Sequence, residues 1–253
     1  MERMVFGLIG HPLGHSLSQT FFTEKFRREG IKAEYRMWDL HRLDGREDLP
    51  DAEGLRGFNV TIPYKRRILP MLDAVDDVAA AIGAVNVVKV REEDGVRKLT
   101  GYNSDAPGFR QSLVDMPGFS ADDHPRALVL GTGGASKAVV YALRSLGIAP
   151  TLVSRREAPG VITYADLDAE VMATHTLIVN CTPLGTFPDT EAAPPIPYDL
   201  VSESHFCHDL VYNPSETLFM RLCRERRATV KNGAEMLRNQ ALEAWRICTD
   251  DNR

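Results

Sequence analysis

Short apolar runs closed by turn residues alternate along this chain with stretches whose apolar positions recur at helical spacing. Val5–Gly10 is the first such run and predicts a buried strand, ended by Gly10 and Pro12. Residues 18–29 then predict an amphipathic helix. Glu34–Trp38 and Gly57–Ile62 predict further strands. Pro63 falls where a helix can begin, because the N–H that proline lacks is unpaired at a first helical position anyway. Ala84–Val90 and Val96–Tyr102 flank a charged stretch ending in Asp94-Gly95, which predicts a hairpin. The chain up to about residue 104 therefore reads as an α/β unit with an antiparallel excursion.

A second series begins near Arg126. Ala127–Leu130 is a compact strand, followed at once by Gly131-Thr132-Gly133-Gly134-Ala135 and a helix to about Leu146. Pro150–Ser154, Thr176–Asn180 and Phe206–Leu210 repeat the strand pattern. Strand and helix in close succession imply a parallel sheet with crossover connections. Residues 186–197 hold Pro188, Pro194, Pro195 and Pro197 and predict a loop.

The composition of the 253 residues, 43% hydrophobic and 26% charged, is that of an ordinary globular protein. A formal charge of −5 leaves no basic excess for phosphate backbones, so nucleic acid is not expected as a partner. No run approaches the roughly 20 apolar residues of a membrane helix, and the N-terminus lacks a signal-peptide pattern. Cys181, Cys207, Cys223 and Cys248 are scattered without C-x-x-C pairing. Neither zinc nor a disulfide framework is expected, and a reduced, cytoplasmic setting is the default.

Candidate chemistry gathers at the ends of the predicted strands. Ser16 and Ser18 follow the first strand and could grip a carboxylate, although such hydroxyls also serve as helix caps. Asn59 and Thr61 share one face of their strand, and Lys65 follows in what reads as a first helical turn. A helix field there disfavours the ammonium and draws its pKa toward a range useful for proton transfer. Asn86 lies within an apolar run, where a buried amide demands a partner or a ligand. Asp105 opens the next helix, as a cap or as a functional carboxylate.

Gly131, Gly133 and Gly134, with Ala135 and Ser136, form a turn between a strand and a helix. That context suits a dinucleotide pyrophosphate on the helix N-terminus. An NAD-selective site usually has an acidic residue near the end of the next strand. Here Ser154, Arg155 and Arg156 stand there, which favours a 2′-phosphate and hence NADP.

Collinear motifs bind these clusters together. They are G-x-P-x-x-H-S-x-S at 10–18, N-V-T-x-P-x-K at 59–65, G-A-x-N at 83–86 and G-x-N-[ST]-D-x-x-G at 101–108. There follow G-x-G-G-[AS] at 131–135, N-x-T-P-x-G at 180–185, D-x-V-Y-x-P at 209–214 and G-x-x-M-L-x-x-Q-A at 233–241. In this order they resemble the shikimate dehydrogenase family over nearly the whole chain.

That resemblance implies an α/β protein of two domains with the active site in the cleft between them. Residues 1–104 and 238–253 would form an α/β substrate domain, and 105–237 a Rossmann-like, doubly wound NADP-binding domain. It implies reversible NADPH-dependent reduction of 3-dehydroshikimate to shikimate, in chorismate and aromatic amino acid biosynthesis, by a monomer or homodimer. Ser16 and Ser18 would hold the substrate carboxylate. Asn59, Thr61, Asn86, Asp105 and Gln240 would bind ring hydroxyls, with Tyr212 reaching the substrate. Lys65 and Asp105 would be the catalytic pair, converging on one hydroxyl. The turn from Gly131 to Ser136 would take the pyrophosphate, and Ser154, Arg155 and Arg156 the 2′-phosphate. Asn180, Thr182, Pro183, Leu210, Gly233 and Met236 would line the nicotinamide end. Many relatives carry Asn-Arg-Thr where this chain has Ser154-Arg155-Arg156, so the phosphate clamp is partly rebuilt. Two alternatives remain open at this point. One is a quinate/shikimate dehydrogenase using NAD or both cofactors, and the other a non-catalytic ligand sensor of the same fold.

Overall fold

The structure is a computed structural model that describes residues 3–14 and 17–250. By contacts it divides into two compact units, Met1–Ser104 with Ala241–Arg253, and Asp105–Gln240.

The first unit contains β1 (Met4–Gly10), α1 (Leu17–Glu29), β2 (Ala33–Asp39), β3 (Leu55–Val60), β4 (Ala74–Val75), α2 (Asp77–Ile82), β5 (Val87–Glu93) and β6 (Val96–Tyr102). The strands form one sheet in the order β2-β1-β3-β5-β6-β4. β1 pairs in parallel with both β2 and β3, while β5 runs antiparallel to β3 and β6. The predicted hairpin is thus present, with its tight turn at Asp94–Gly95. Both faces of β1 are buried, as side chains alternating along a central strand require. Val5 and Ile9 enter a core with Phe58, Val60, Ile68 and Val88. Phe6 and Leu8 face the opposite way, against Phe22, Phe26 and Tyr35.

Pro63 does not start a helix. Residues 62–68 pass through successive turns, and a short 3-10 turn at Leu69–Met71 follows. The hydrogen bonds there are of mixed span, Tyr64 N to Thr61 O, Ile68 N to Tyr64 O and Leu69 N to Arg66 O, and Pro70 has no N–H to extend them. The segment is instead pinned by Tyr64, a buried ring whose hydroxyl bonds Leu40 O. The helix field invoked for Lys65 therefore has no regular helix to supply it. Two strand ends also move. β3 stops at Val60, so Thr61 lies just beyond it, and β5 starts at Val87, so Asn86 stands immediately before it.

The second unit contains α3 (Asp105–Val114), β7 (Arg126–Leu130), α4 (Gly134–Ser145), β8 (Ala149–Ser154), β9 (Val161–Thr163), α5 (Ala169–Thr174), β10 (Leu177–Asn180), β11 (Phe206–Asp209), α6 (Leu218–Glu225) and β12 (Thr229–Lys231). α7 (Ala234–Thr249) begins here and gives its residues from Ala241 onward to the first unit. In that stretch Trp245 lies 5.1 Å from Phe6 and 5.5 Å from Phe26. The second sheet is wholly parallel, in the order β12-β11-β10-β7-β8-β9. The chain starts at its centre with β7, winds outward through β8 and β9, then returns beside β7 and winds out the other way. Residues 186–197 form a loop as predicted, with Ile196 buried in the core.

β9, α5, α6 and β12 escape the sequence reading because each is short. Two strands of three residues show no period, and the helices of six and eight residues are announced mainly by their caps. Asp168 accepts from Val171 N at 2.8 Å and Thr217 from Met220 N at 3.3 Å.

Candidate functional site

In the first unit the residues singled out from separate motifs meet at the ends of β1 and β3. Thr61 N donates to Ile9 O at 2.9 Å and His11 N to Ile62 O at 3.0 Å. The two chains lie so close there that a Cβ on Gly10 would stand 2.4 Å from Thr61 Cγ2. Only glycine permits that approach. His11 Nδ1 bonds Asp39 Oδ1 at 2.7 Å, and Leu13 N donates to Asp39 Oδ2 at 3.3 Å, which anchors the chain ahead of α1. Ser16 lies outside the described residues.

A continuous polar relay runs inward from α1. Ser18 bonds the Tyr35 hydroxyl. Tyr35 donates to Asn59 Oδ1 at 2.9 Å, and Asn59 Nδ2 donates to Asn86 O at 3.4 Å. The Asn86 amide is buried and engages Ser104, donating to Oγ at 3.0 Å and accepting from N at 2.7 Å. Lys65 joins through its main chain, its carbonyl accepting from Val85 N at 2.8 Å next to Asn86. Of the two readings of Asn86 left by the sequence, an internal partner or a ligand, this network supplies the internal partner.

Tyr35 is the residue that sequence reasoning missed. It is buried, stacks on Phe22 with ring centroids 4.7 Å apart, and burial pushes its phenol pKa above the usual range. It stays a neutral donor. Its strand, Ala33–Asp39, mixes charged and apolar residues, so the sequence carries no signal that the Tyr35 hydroxyl is buried and needs a partner. Replacing Tyr35 with phenylalanine is expected to raise the KM for the small-molecule substrate about tenfold, because Asn59 loses the donor that orients it. Steady-state kinetics check this. An unchanged KM would remove Tyr35 from the site.

In the second unit the nominated residues collect at the carboxyl ends of the strands. Gly131 directly follows β7 with φ +102°, a backbone shape open to glycine, and its α-carbon faces Thr182 and Cys181 beyond β10. Gly133 caps α4 without any side-chain hydrogen bond, and space around the α-carbons of Gly133 and Gly134 is open. Unpaired N–H groups therefore front an open approach, as a bound pyrophosphate needs. Ala135 and Ser136 lie in the first turn, and Ser136 is buried with its hydroxyl donating back to Gly133 O at 2.6 Å. Ser154 ends β8, and Arg155 and Arg156 follow it exposed, with no acidic partner within 4.0 Å among the described residues. Glu157 is exposed too and neutralises neither.

Asn180 is fully buried. Its amide donates to Asp209 Oδ1 at 2.9 Å and accepts from Thr182 N at 3.0 Å and Thr182 Oγ1 at 2.7 Å. Pro183 is exposed beside it. Leu210 N donates to Asn180 O at 3.0 Å, and Gly233 N donates to Val211 O at 3.0 Å. Met236 is buried in the first turns of α7, while Tyr212 is 41% exposed. Gln240 packs on Gly108, where a Cβ would stand 2.9 Å from the Gln240 Cβ. Asp105 opens α3, buried, directly after Ser104.

The strands of this sheet reverse their winding between β7 and β10, and the glycine turn and Thr182 flank that point. Open α/β sheets bind ligands in such a crevice. Turn, uncapped helix and unpaired arginines fit a phosphorylated dinucleotide, and they define the second unit as a dinucleotide-binding fold of the doubly wound class.

Comparison with known proteins carries the assignment further. The family model described as the shikimate dehydrogenase substrate binding domain matches residues 8–88. The shikimate dehydrogenase (NADP(+)) of Moorella thermoacetica is 38% identical over 96% of this chain and 86% of its own. Among solved structures, shikimate 5-dehydrogenase of Thermus thermophilus, in complex with NADP(H) and shikimate, is 34% identical. It aligns with a TM-score of 0.81 over 97% of this chain and 93% of that one. A quinate dehydrogenase of Corynebacterium glutamicum, in complex with NAD, is 26% identical with a TM-score of 0.82, covering 98% and 94%. The chain belongs to the shikimate dehydrogenase family. No helix among the described residues is long and apolar enough to cross a membrane.

Proposed function

We propose that this protein is an NADP-dependent shikimate dehydrogenase, reversibly reducing 3-dehydroshikimate to shikimate in the biosynthesis of chorismate and the aromatic amino acids. The observation that carries this is the relay in the first unit, Ser18 to Tyr35, Asn59, Asn86 and Ser104. It presets several polar side chains at one place, as recognition of a polyhydroxylated ring requires. Ser16 and Ser18 take the carboxylate, and Asn59, Thr61, Asn86, Asp105 and Gln240 the hydroxyls, with Tyr212 beside them.

Bound with its pyrophosphate on the Gly131–Ser136 turn and its 2′-phosphate on Ser154, Arg155 and Arg156, NADPH supplies the hydride. Thr182, Pro183, Leu210, Gly233 and Met236 line the nicotinamide end, and Asn180 holds Thr182 in place. Lys65 donates its proton to the oxygen of the ring carbonyl as that oxygen becomes an alkoxide. Asp105 orients the same oxygen. In the oxidative direction Lys65 takes the proton back.

Turnover of shikimate and quinate, each with NADP+ and NAD+, tests the reading. Shikimate with NADP+ is expected to have the highest kcat/KM. The paired change Arg155→Ala and Arg156→Ala is expected to raise the KM for NADP+ about tenfold or more while leaving that for NAD+ nearly unchanged. Preference for quinate with NAD+ would support the relation to the quinate enzyme instead, and absence of turnover with any pair would support a sensor.

A further inference from the structure

The proposed function gives no task to Asp209, the first residue of the D-x-V-Y-x-P motif at 209–214. Asp209 ends β11 with 0% of its surface exposed. Its carboxylate accepts three hydrogen bonds from three different segments. Asn180 Nδ2 donates to Oδ1 at 2.9 Å from the end of β10, and Val211 N donates to the same oxygen at 3.0 Å. Thr217 Oγ1 donates to Oδ2 at 2.6 Å from the cap of α6.

Each donor continues into the rim of the switch point. Asn180 Oδ1 fixes Thr182 by two bonds, and Thr182 Oγ1 accepts from Leu184 N at 3.3 Å. Val211 O receives Gly233 N at 3.0 Å. Thr217 caps α6 and stands against the α-carbon of Gly185. A single buried carboxylate thus gathers the chain at 180–185, 210–211, 217 and 233.

We infer that Asp209 is a positioning residue for the cofactor site, its buried carboxylate fixing the three chain segments that shape the nicotinamide side of the switch point. The inference rests on the proposed use of NADP. A carboxylate suits the place because all three neighbours donate and none needs to accept. Burial raises its pKa to about 6, against the hydrogen bonds from Thr217, Val211 and Asn180, which lower it. Above that pH it is the ionised acceptor that the three donors require. Nearby, the Cys181 thiol and the Tyr198 phenol are both pushed upward in pKa and stay neutral.

The test measures the Kd of NADP+ by titration calorimetry, and the Kd of shikimate separately, at pH 8 and well below the unfolding temperature. Asp209→Ala removes the acceptor and is expected to weaken NADP+ binding by about tenfold or more, with shikimate affinity unchanged. Asp209→Asn keeps one oxygen for Asn180 and Val211 and turns an N–H toward the Thr217 hydroxyl, which can accept. It is expected to restore NADP+ binding to within about threefold of the wild type. Thr217→Val, which removes one of the three donors, gives a smaller loss and serves if the alanine variant does not fold.

An alanine variant, or failing that a valine variant, that binds NADP+ as tightly as the wild type overturns the inference. So does an equal loss of shikimate and NADP+ affinity in both Asp209 variants, which marks a merely structural role. A wild-type protein that binds no NADP+ contradicts the proposed function itself, a different outcome from either.

Discussion

Replacing Lys65 with alanine is expected to lower kcat by about 10²- to 10⁴-fold while leaving the KM for shikimate within a few-fold, because proton transfer is used only as the transition state forms. The ground-state complex is held by other groups. The polar relay through Tyr35, Asn59 and Asn86 does not pass through the lysine side chain, and the Lys65 backbone carbonyl keeps its bond from Val85 whatever the side chain. Arginine is not expected to rescue the activity, since its proton is held too tightly for exchange near neutral pH. Asp105→Asn is expected to lower kcat as well, and the double variant to be little worse than Lys65→Ala, as befits two groups acting on one oxygen. Steady-state kinetics with a direct titration of shikimate separate the terms. A loss confined to KM would remove the lysine from the chemistry.

The second large effect concerns Gly131. Valine at this position must adopt φ near +102°, and its first side-chain atom would stand 3.2 Å from Thr182 Cγ2. Such a conformation costs a non-glycine residue about 1–3 kcal/mol. A branched side chain adds a collision with Thr182, which Asn180 holds in place through two hydrogen bonds. The turn must therefore shift away from β10, carrying the uncapped N-terminus of α4 with it. Affinity for NADP+ is expected to fall by about tenfold to a hundredfold, with a lower unfolding midpoint and unchanged shikimate binding. Calorimetry with each ligand and a thermal melt read all three. Undiminished NADP+ affinity would show that the turn does not carry the pyrophosphate.

Much of this site is legible one segment at a time. A glycine turn between an apolar strand and a helical stretch announces itself, because turn geometry and periodicity act over a few neighbouring residues. The same holds for Arg155 and Arg156 after β8 and for the Asp94–Gly95 hairpin. Asn86 is legible as a polar side chain in an apolar run, although the chain leaves open what it bonds. The turns after Pro63 show the opposite case. There a buried tyrosine and a second proline override a local helix signal, and the inference about Lys65 drawn from a helix field went with it.

What the linear chain determined by itself is the succession of strands and helices, the residue types at each strand end and the family to which their order points. All of these depend on spacing along the backbone. Only the folded molecule decided that Tyr35 joins Ser18 to Asn59, and that Asp209 gathers three separate segments under the switch point. The bonds of Ser18 to Tyr35, Tyr35 to Asn59 and Asn180 to Asp209 join residues 17 to 29 positions apart, and the others close around the buried Asp209. Their existence depends on which side chains burial forces together, and no local pattern records that.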